Sequence, residues 1–302
     1  MLRRALGLAL VASLSPIACG GDDGGGEVDA SPGEVDASSD QPDAAPVAGC
    51  PASIHASFDV SSSPEYGTLF GAYDDVPMPT ALEEKVREGE CAFFAPEPPF
   101  CDPACEGETF CATGGVCRGF PLHIDIGTIR VTGTDPELVL DANDYGYYNT
   151  ESQLPSLFQP GDQLTLTGGG EGDVPAIDLT VRGVAPLAEP GLVTAREHED
   201  LVITWEPDPS GSEGTELILH ADNDHHGIQA YIECRGPDDG ELVIPAAVLD
   251  PLILAGESGI GTYIENAWMK RINQATVDTD RGCLAFQSIW QVPVGFETIR
   301  AD

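Results

Sequence analysis

The chain has 302 residues, 13 Lys and Arg against 51 Asp and Glu, and a formal charge of -38 with a pI near 4.1. Bases this few and this scattered exclude nucleic acid and bare anionic lipid as partners, because affinity for phosphate rests on clustered Lys and Arg. Hydrophobic residues reach 41%, too many for a wholly disordered chain, and 35 Gly with 25 Pro point to turn-rich β structure.

At the start, Arg3 and Arg4 precede an apolar run over Ala5–Leu14, and small residues lead to Cys19. This pattern predicts a signal peptide over 1–18, with a core too short to span a bilayer, which takes roughly 20 apolar residues. Ile17-Ala18-Cys19 resembles the lipobox of bacterial lipoproteins, with Pro16 where that family usually has Leu. The resemblance implies lipidation of Cys19 and an exported protein anchored to a membrane of the bacterial cell envelope. Ordinary secretion, after a cut near Ala18, is the alternative. Nine cysteines are an odd number for an oxidising compartment, and giving Cys19 to the lipid leaves an even set that can pair fully.

Residues 19–49 are then the lipidated Cys and an acidic tether. They carry Asp22, Asp23, Glu27, Asp29, Glu34, Asp36, Asp40 and Asp43, with no base and no aromatic, and Gly-Glu-Val-Asp-Ala-Ser occurs at Gly26–Ser31 and again at Gly33–Ser38. Such a segment cannot form a core and reads as a disordered spacer. Residues 50–100 are mixed: Ser53–Val60 alternates like a strand, whereas Thr80-Ala81-Leu82-Glu83, with Leu82 four before Val86, predicts a short helix to Glu88. From Leu122 the period is two, at Leu122, Ile124 and Ile126, at Leu164 and Leu166, and at Ile177, Leu179 and Val181. Further strands are predicted over Leu201–Trp205, Glu216–His220, Ile228–Cys234, Tyr263–Met269 and Cys283–Val292, with a brief helix at Pro245–Leu249. The break at Ala188-Glu189-Pro190-Gly191 divides β units at 121–188 and 189–302, although one continuous sandwich fits almost as well. The predicted fold is mainly β, an antiparallel β-sandwich of one or two Ig-like units with a small disulfide-rich insert.

That insert, residues 101–120, holds Cys101, Cys105, Cys111 and Cys117 among Pro103, Gly107, Gly114 and Gly115. Loops this short and polar need crosslinks in place of a core. The spacing resembles truncated EGF-like knots of bacterial surface lipoproteins, and with that resemblance goes a Cys101–Cys111 and Cys105–Cys117 pairing. Four thiolates could instead make a zinc knuckle, but the spacing lacks tight C-x-x-C pairs and export favours disulfides. Cys234 and Cys283, each in a predicted strand, are expected to bridge the two sheets, which leaves Cys50 for Cys91.

No G-x-S-x-G elbow, P-loop, H-E-x-x-H or dinucleotide fingerprint occurs. Two constellations can carry chemistry. His220, Asp222, Asp224, His225 and His226 offer imidazole and carboxylate for zinc or another divalent ion, or else form a polar hairpin turn closed by Gly227. Asp141, Asn143 and Asp144 begin like a calcium loop, but Tyr145 and Ser152 stand where an EF-hand needs ligands, so only a looser Ca2+ site stays open. Next to it Tyr145, Tyr147 and Tyr148 have the composition of a sugar-binding loop, or of packing residues at a sandwich edge.

The lipobox-like start, acidic tether, cysteine knot and strand-rich body together resemble uncharacterised bacterial surface lipoproteins. The expected function is a non-enzymatic, membrane-tethered binding or structural module of the cell envelope, with a glycan or an envelope protein as partner. No cofactor is assured beyond possible Ca2+ or Zn2+. A metal-assisted envelope hydrolase and a calcium-dependent carbohydrate-binding adhesin are the alternatives.

Overall fold

Alternation of buried and open positions builds most of this molecule. In the computed structural model the described residues are 54–63, 66–96, 101–150, 154–170, 174–209, 214–223, 230–255, 264 and 266–301. They belong to one unit, Pro46–Asp302. The signal peptide, Cys19, the tether and Cys50 lie outside the described residues.

The N-terminal part supplies β1 (Ile54–Ser62), β2 (Gly67–Tyr73), β3 (Leu82–Glu88) and β4 (Cys91–Pro96), and the cysteine-rich insert supplies β5 (Thr109–Ala112) and β6 (Val116–Gly119). Then come β7 (Ile129–Thr132), β8 (Leu138–Leu140), β9 (Tyr147–Asn149), β10 (Gln163–Gly169) and β11 (Ala176–Arg182). The last part carries β12 (Leu192–Arg196), β13 (Leu201–Thr204), β14 (Thr215–Asp222), β15 (Tyr231–Pro237) and β16 (Glu241–Ile244). The helix α1 (Ala246–Ala255), β17 (Asn266–Thr279), β18 (Gly282–Pro293) and β19 (Gly295–Ile299) complete it.

A nine-stranded sheet runs β3-β4-β15-β14-β17-β18-β1-β2-β9, and a four-stranded sheet runs β11-β10-β7-β8. Every pair in the large sheet is antiparallel except β1 with β18. One face of the large sheet turns Phe58, Val60, Leu69, Leu219, Met269, Phe286 and Val292 inward. Opposite them, Ile129, Val131, Leu164, Leu166, Ile177, Leu179 and Val181 of the small sheet share the same core, and β11 lies against β17 and β18. The fold is therefore a β-sandwich with a disulfide-rich insert. Residues on both sides of Ala188–Gly191 contribute to one core, and β1 to β4 join the sheet of β14 to β18, so the 50–100 segment is part of the sandwich itself.

Two local readings change. Leu82–Glu88 is an edge strand and no helix, because pairing with β4 outweighs a four-residue apolar spacing that a bulge between Glu84 and Val86 accommodates. The Thr80 hydroxyl, expected as a helix cap, accepts the Leu82 amide at 3.1 Å in a turn. Leu122–Ile126 forms no strand beyond one bridge, Asp74 with His123. Side chains answer its amides instead: Asp75 accepts from Leu122 at 2.9 Å and the Tyr148 phenol from Ile126 at 2.8 Å.

The cysteine pairing also differs. Cys91 bonds to Cys234 directly across β4 and β15, so the expected Cys50–Cys91 and Cys234–Cys283 bridges do not form. Neighbours within one sheet meet, and a sheet-to-sheet bridge is not needed to hold faces that the core already joins. Cys283 is disulfide-bonded to a partner outside the described residues. In the insert Cys101 bonds to Cys111 and Cys105 to Cys117.

Candidate functional site

Alternation along β17 places Trp268 and Lys270 on the outer face of the large sheet while Met269 and Arg271 point inward. Register then sets His220 of β14 beside Trp268, and their rings stack at 4.8 Å and 10°. The row continues to Tyr231, 4.8 Å from His220, and to Phe94, stacked on Tyr231 at 4.7 Å. The Lys270 ammonium lies 4.1 Å from the centre of the Trp268 ring. Burial holds the Lys270 amine below its ordinary range, against the pull of Asp59 and Glu233.

At the end of this row, on the β18 side of Trp268, a cleft of about 490 Å³ opens where β1, β2, β17 and β18 meet. Trp268, Tyr66 and Pro293 give it apolar walls. Ser61, Thr68, Asn266 and Gln291 bring hydroxyls and amides, and Glu189 of the inter-strand connection brings its carboxylate; among the described residues no Lys or Arg lines it. Ser63 lies beside them, its hydroxyl tied into the turn with Tyr66. Ser62, one residue on from Ser61, shares the inward parity of Phe58 and Val60 and is 1% exposed, so its side chain belongs to the core face of β1.

Beneath the sheet, Arg271 is the largest fully buried side chain among the described residues. It pairs with Asp238 at 2.8 Å and donates to the carbonyls of Ala185, Pro186 and Glu206 at 3.2, 2.9 and 2.6 Å. Asp238 also accepts the Trp205 indole N–H at 2.6 Å and the Asp208 amide at 2.9 Å. The bolt ties the Ala185–Pro186 segment, which leads to Glu189 of the cleft, to the inner face of β17.

The residues singled out from sequence separate in space. His220 and Asp222 bond to each other at 3.1 Å, and Asn266 donates to the same carboxylate oxygen at 3.0 Å. Asp224, His225 and His226 lie outside the described residues. Asp141 accepts a hydrogen bond from Thr128. Asn143 spends its carbonyl oxygen on the amides of Tyr145 and Tyr147, so the Asp141–Gly146 loop is closed on itself as a turn. Tyr148 is no binding residue: it is fully buried, its phenol donates to the Gly127 carbonyl at 3.0 Å, and burial pushes it up to about 12. Tyr147 packs on Phe70 and His123, and Tyr145 alone is exposed. The three tyrosines thus do not form one recognition face. Among the described residues the cluster with metal-ligand spacing is Cys101, Cys105 and Cys117, whose sulfurs are in disulfides.

The structure adds a constellation with no sequence signal. His123 meets the Asp74 carboxylate at 2.5 Å through Nδ1 and the Tyr147 hydroxyl at 2.7 Å through Nε2. Gly146, at φ 80°, permits this, since a Cβ there would lie 2.5 Å from the His123 Cβ. The phenol is hemmed in by the His123 and Phe70 rings, and the arrangement pins the 121–128 segment to β2 and β9.

No family model matches the chain, and no curated protein matches it. Among solved structures, the crystal structure of chicken CNTN1 FN1-FN3 domains is similar at 12% identity and a TM-score of 0.16. The match covers 70% of this chain and just under two thirds, 66%, of that one. Among the described residues no helix is long and apolar enough to cross a membrane.

Proposed function

We propose that this chain is an exported, non-enzymatic binding module of the bacterial cell envelope, held to a membrane through a lipid on Cys19 and presenting the cleft beside Trp268 to its ligand. The cleft carries this reading: it is a concave, mixed polar and apolar site on the large sheet. Disulfides within the body agree with an oxidising, exported location.

The test has two arms. Gln291 is exposed and lines the cleft, so Gln291→Trp should fill it without disturbing the fold. Ligand-induced melting shifts across saccharides, peptides and divalent ions should include one that this variant abolishes; a set of shifts all indifferent to it removes the cleft from the function. For the anchor, palmitate labelling of cells should mark the protein and disappear in Cys19→Ser, and persistent labelling would assign the lipid elsewhere.

A further inference from the structure

We infer that Tyr147 is a nucleophilic phenol, activated through His123 and Asp74, that takes an acyl group from a neutral short-chain ester. The inference goes beyond the binding-module reading and does not depend on the cleft beside Trp268.

Pairing at the edge of the large sheet brings the three groups into line. Tyr147 of β9 pairs with Ala72 of β2, and Asp74, just past the end of β2, bridges to His123. An ionised carboxylate only accepts, so the 2.5 Å contact with Asp74 places the imidazole proton on Nδ1. Nε2 is then an acceptor, and the Tyr147 hydroxyl, 2.7 Å away, donates to it. Hydroxyl, base and orienting carboxylate in this order are the arrangement that activates a weak nucleophile. None of the three side chains is sealed in the core.

The surroundings set the class of donor. A hollow of about 150 Å³ is lined by Phe70, Ala72 and Asp74, so it adjoins the relay and gives a short acyl group room against apolar surface. Phosphoryl and sulfuryl donors are anions, which a chain at -38 repels. In the step, the Tyr147 oxygen attacks the ester carbonyl as its proton passes to His123 Nε2. The bond from the acyl carbon to the alcohol oxygen breaks, and the alcohol leaves with that proton. The products are the Tyr147 ester, the free alcohol and a neutral His123.

The test treats the full chain with p-nitrophenyl acetate and follows acetylation of each tyrosine by peptide mass spectrometry. Tyr145, 78% exposed in the adjoining turn, is the internal reference. Tyr147 should be acetylated at least about tenfold faster than Tyr145. His123→Gln should slow Tyr147 about a hundredfold and leave Tyr145 unchanged. Asp74→Asn should slow Tyr147 about tenfold, with Asp74→Glu recovering part of the rate; equal rates in these two variants remove Asp74 from the relay. In wild type, a Tyr147 that reacts no faster than Tyr145, or not at all, overturns the inference whatever the variants do to folding, since the hydrogen bonds then only pin the segment. A fast Tyr147 that persists in His123→Gln with an unchanged circular dichroism spectrum overturns it as well.

Discussion

The sandwich and the cysteine-rich insert solve the same problem by opposite means. In the sandwich, two sheets bury one continuous core, and the Cys91–Cys234 bond joins strands that already pair. In the insert, every residue of β6 is exposed, and Phe110 packs on Phe120, which is itself 58% exposed. Its shape rests on two disulfides closing separations of 10 and 12 residues. Where burial is available crosslinks are additions, and where it is missing they are the structure.

The contrast breaks most visibly at the long crosslink. Cys91–Cys234 spans 143 residues, for which the chain-entropy relation gives about 5 kcal/mol, against about 3 kcal/mol for a loop of the size found in the insert. A Cys91→Ala, Cys234→Ala double variant should keep its circular dichroism spectrum yet unfold at much lower denaturant. A denaturant midpoint equal to wild type would mean that sheet pairing alone sets the stability. Close behind comes Arg271→Leu, which leaves Asp238 buried and unpaired, and an expected loss of about 3–5 kcal/mol follows from breaking a buried pair on one side. Restoring neutrality with Asp238→Asn in the same chain should recover part of it, and additivity of the two single losses would contradict the bolt.

Much of the sandwich was legible because its strands alternate. Leu164 and Leu166, or Ile177, Leu179 and Val181, declare a buried face whatever lies opposite, and each appears in a strand. Thr80–Glu88 misled because a capping pattern is local, whereas the pairing of β3 with Cys91–Pro96 depends on a partner beyond Gly89. Tyr145, Tyr147 and Tyr148 misled for a related reason: composition names tyrosines but not the face each takes, and Tyr148 turns into the core. The cleft had no sequence signal at all. Ser61, Glu189, Trp268 and Gln291 are brought together by a parallel β1–β18 pairing and a long connection, neither of which a local pattern announces.

Smaller effects test how finely the sandwich is tuned. Tyr148→Phe leaves the Ile126 amide without its phenol acceptor, and a loss of about 1–2 kcal/mol is expected, measured by urea unfolding. Asp59, on the outer face, is the reverse case. Burial raises its carboxyl above the usual 3.8, although the Ser57 hydroxyl donates to it at 2.6 Å and Lys270 lies close. A raised folded value means that the native state holds the proton more tightly than the unfolded one. Stability therefore falls as pH rises from the ordinary carboxylate range through the folded value, and the cost is complete above that value. Asp59→Asn should stabilise at alkaline pH, and the gain should shrink as pH falls and vanish in acid below the ordinary carboxylate range, read from urea midpoints across pH. A gain that persists there would come from packing and not from charge.

The sharpest version of the comparison predicts the least change in the body. The insert meets the sandwich through the Thr113 amide and hydroxyl, both reaching the Thr80 carbonyl at 2.8 Å, and contributes Ala112 and Cys101 as buried residues but neither to the shared core. Replacing Cys105 and Cys117 with Ser should therefore move the global melting transition by no more than about 0.5 kcal/mol in equivalent stability, as for surface changes. The same variant should acquire a protease cleavage site between Cys101 and Gly119 that wild type lacks, because a β5–β6 hairpin with so little burial then keeps only the Cys101–Cys111 bond and the Thr113 contacts. If instead the whole body melts early, the insert is a keystone for β3 and its neighbours, and the division into a self-supporting sandwich and a crosslinked appendage fails.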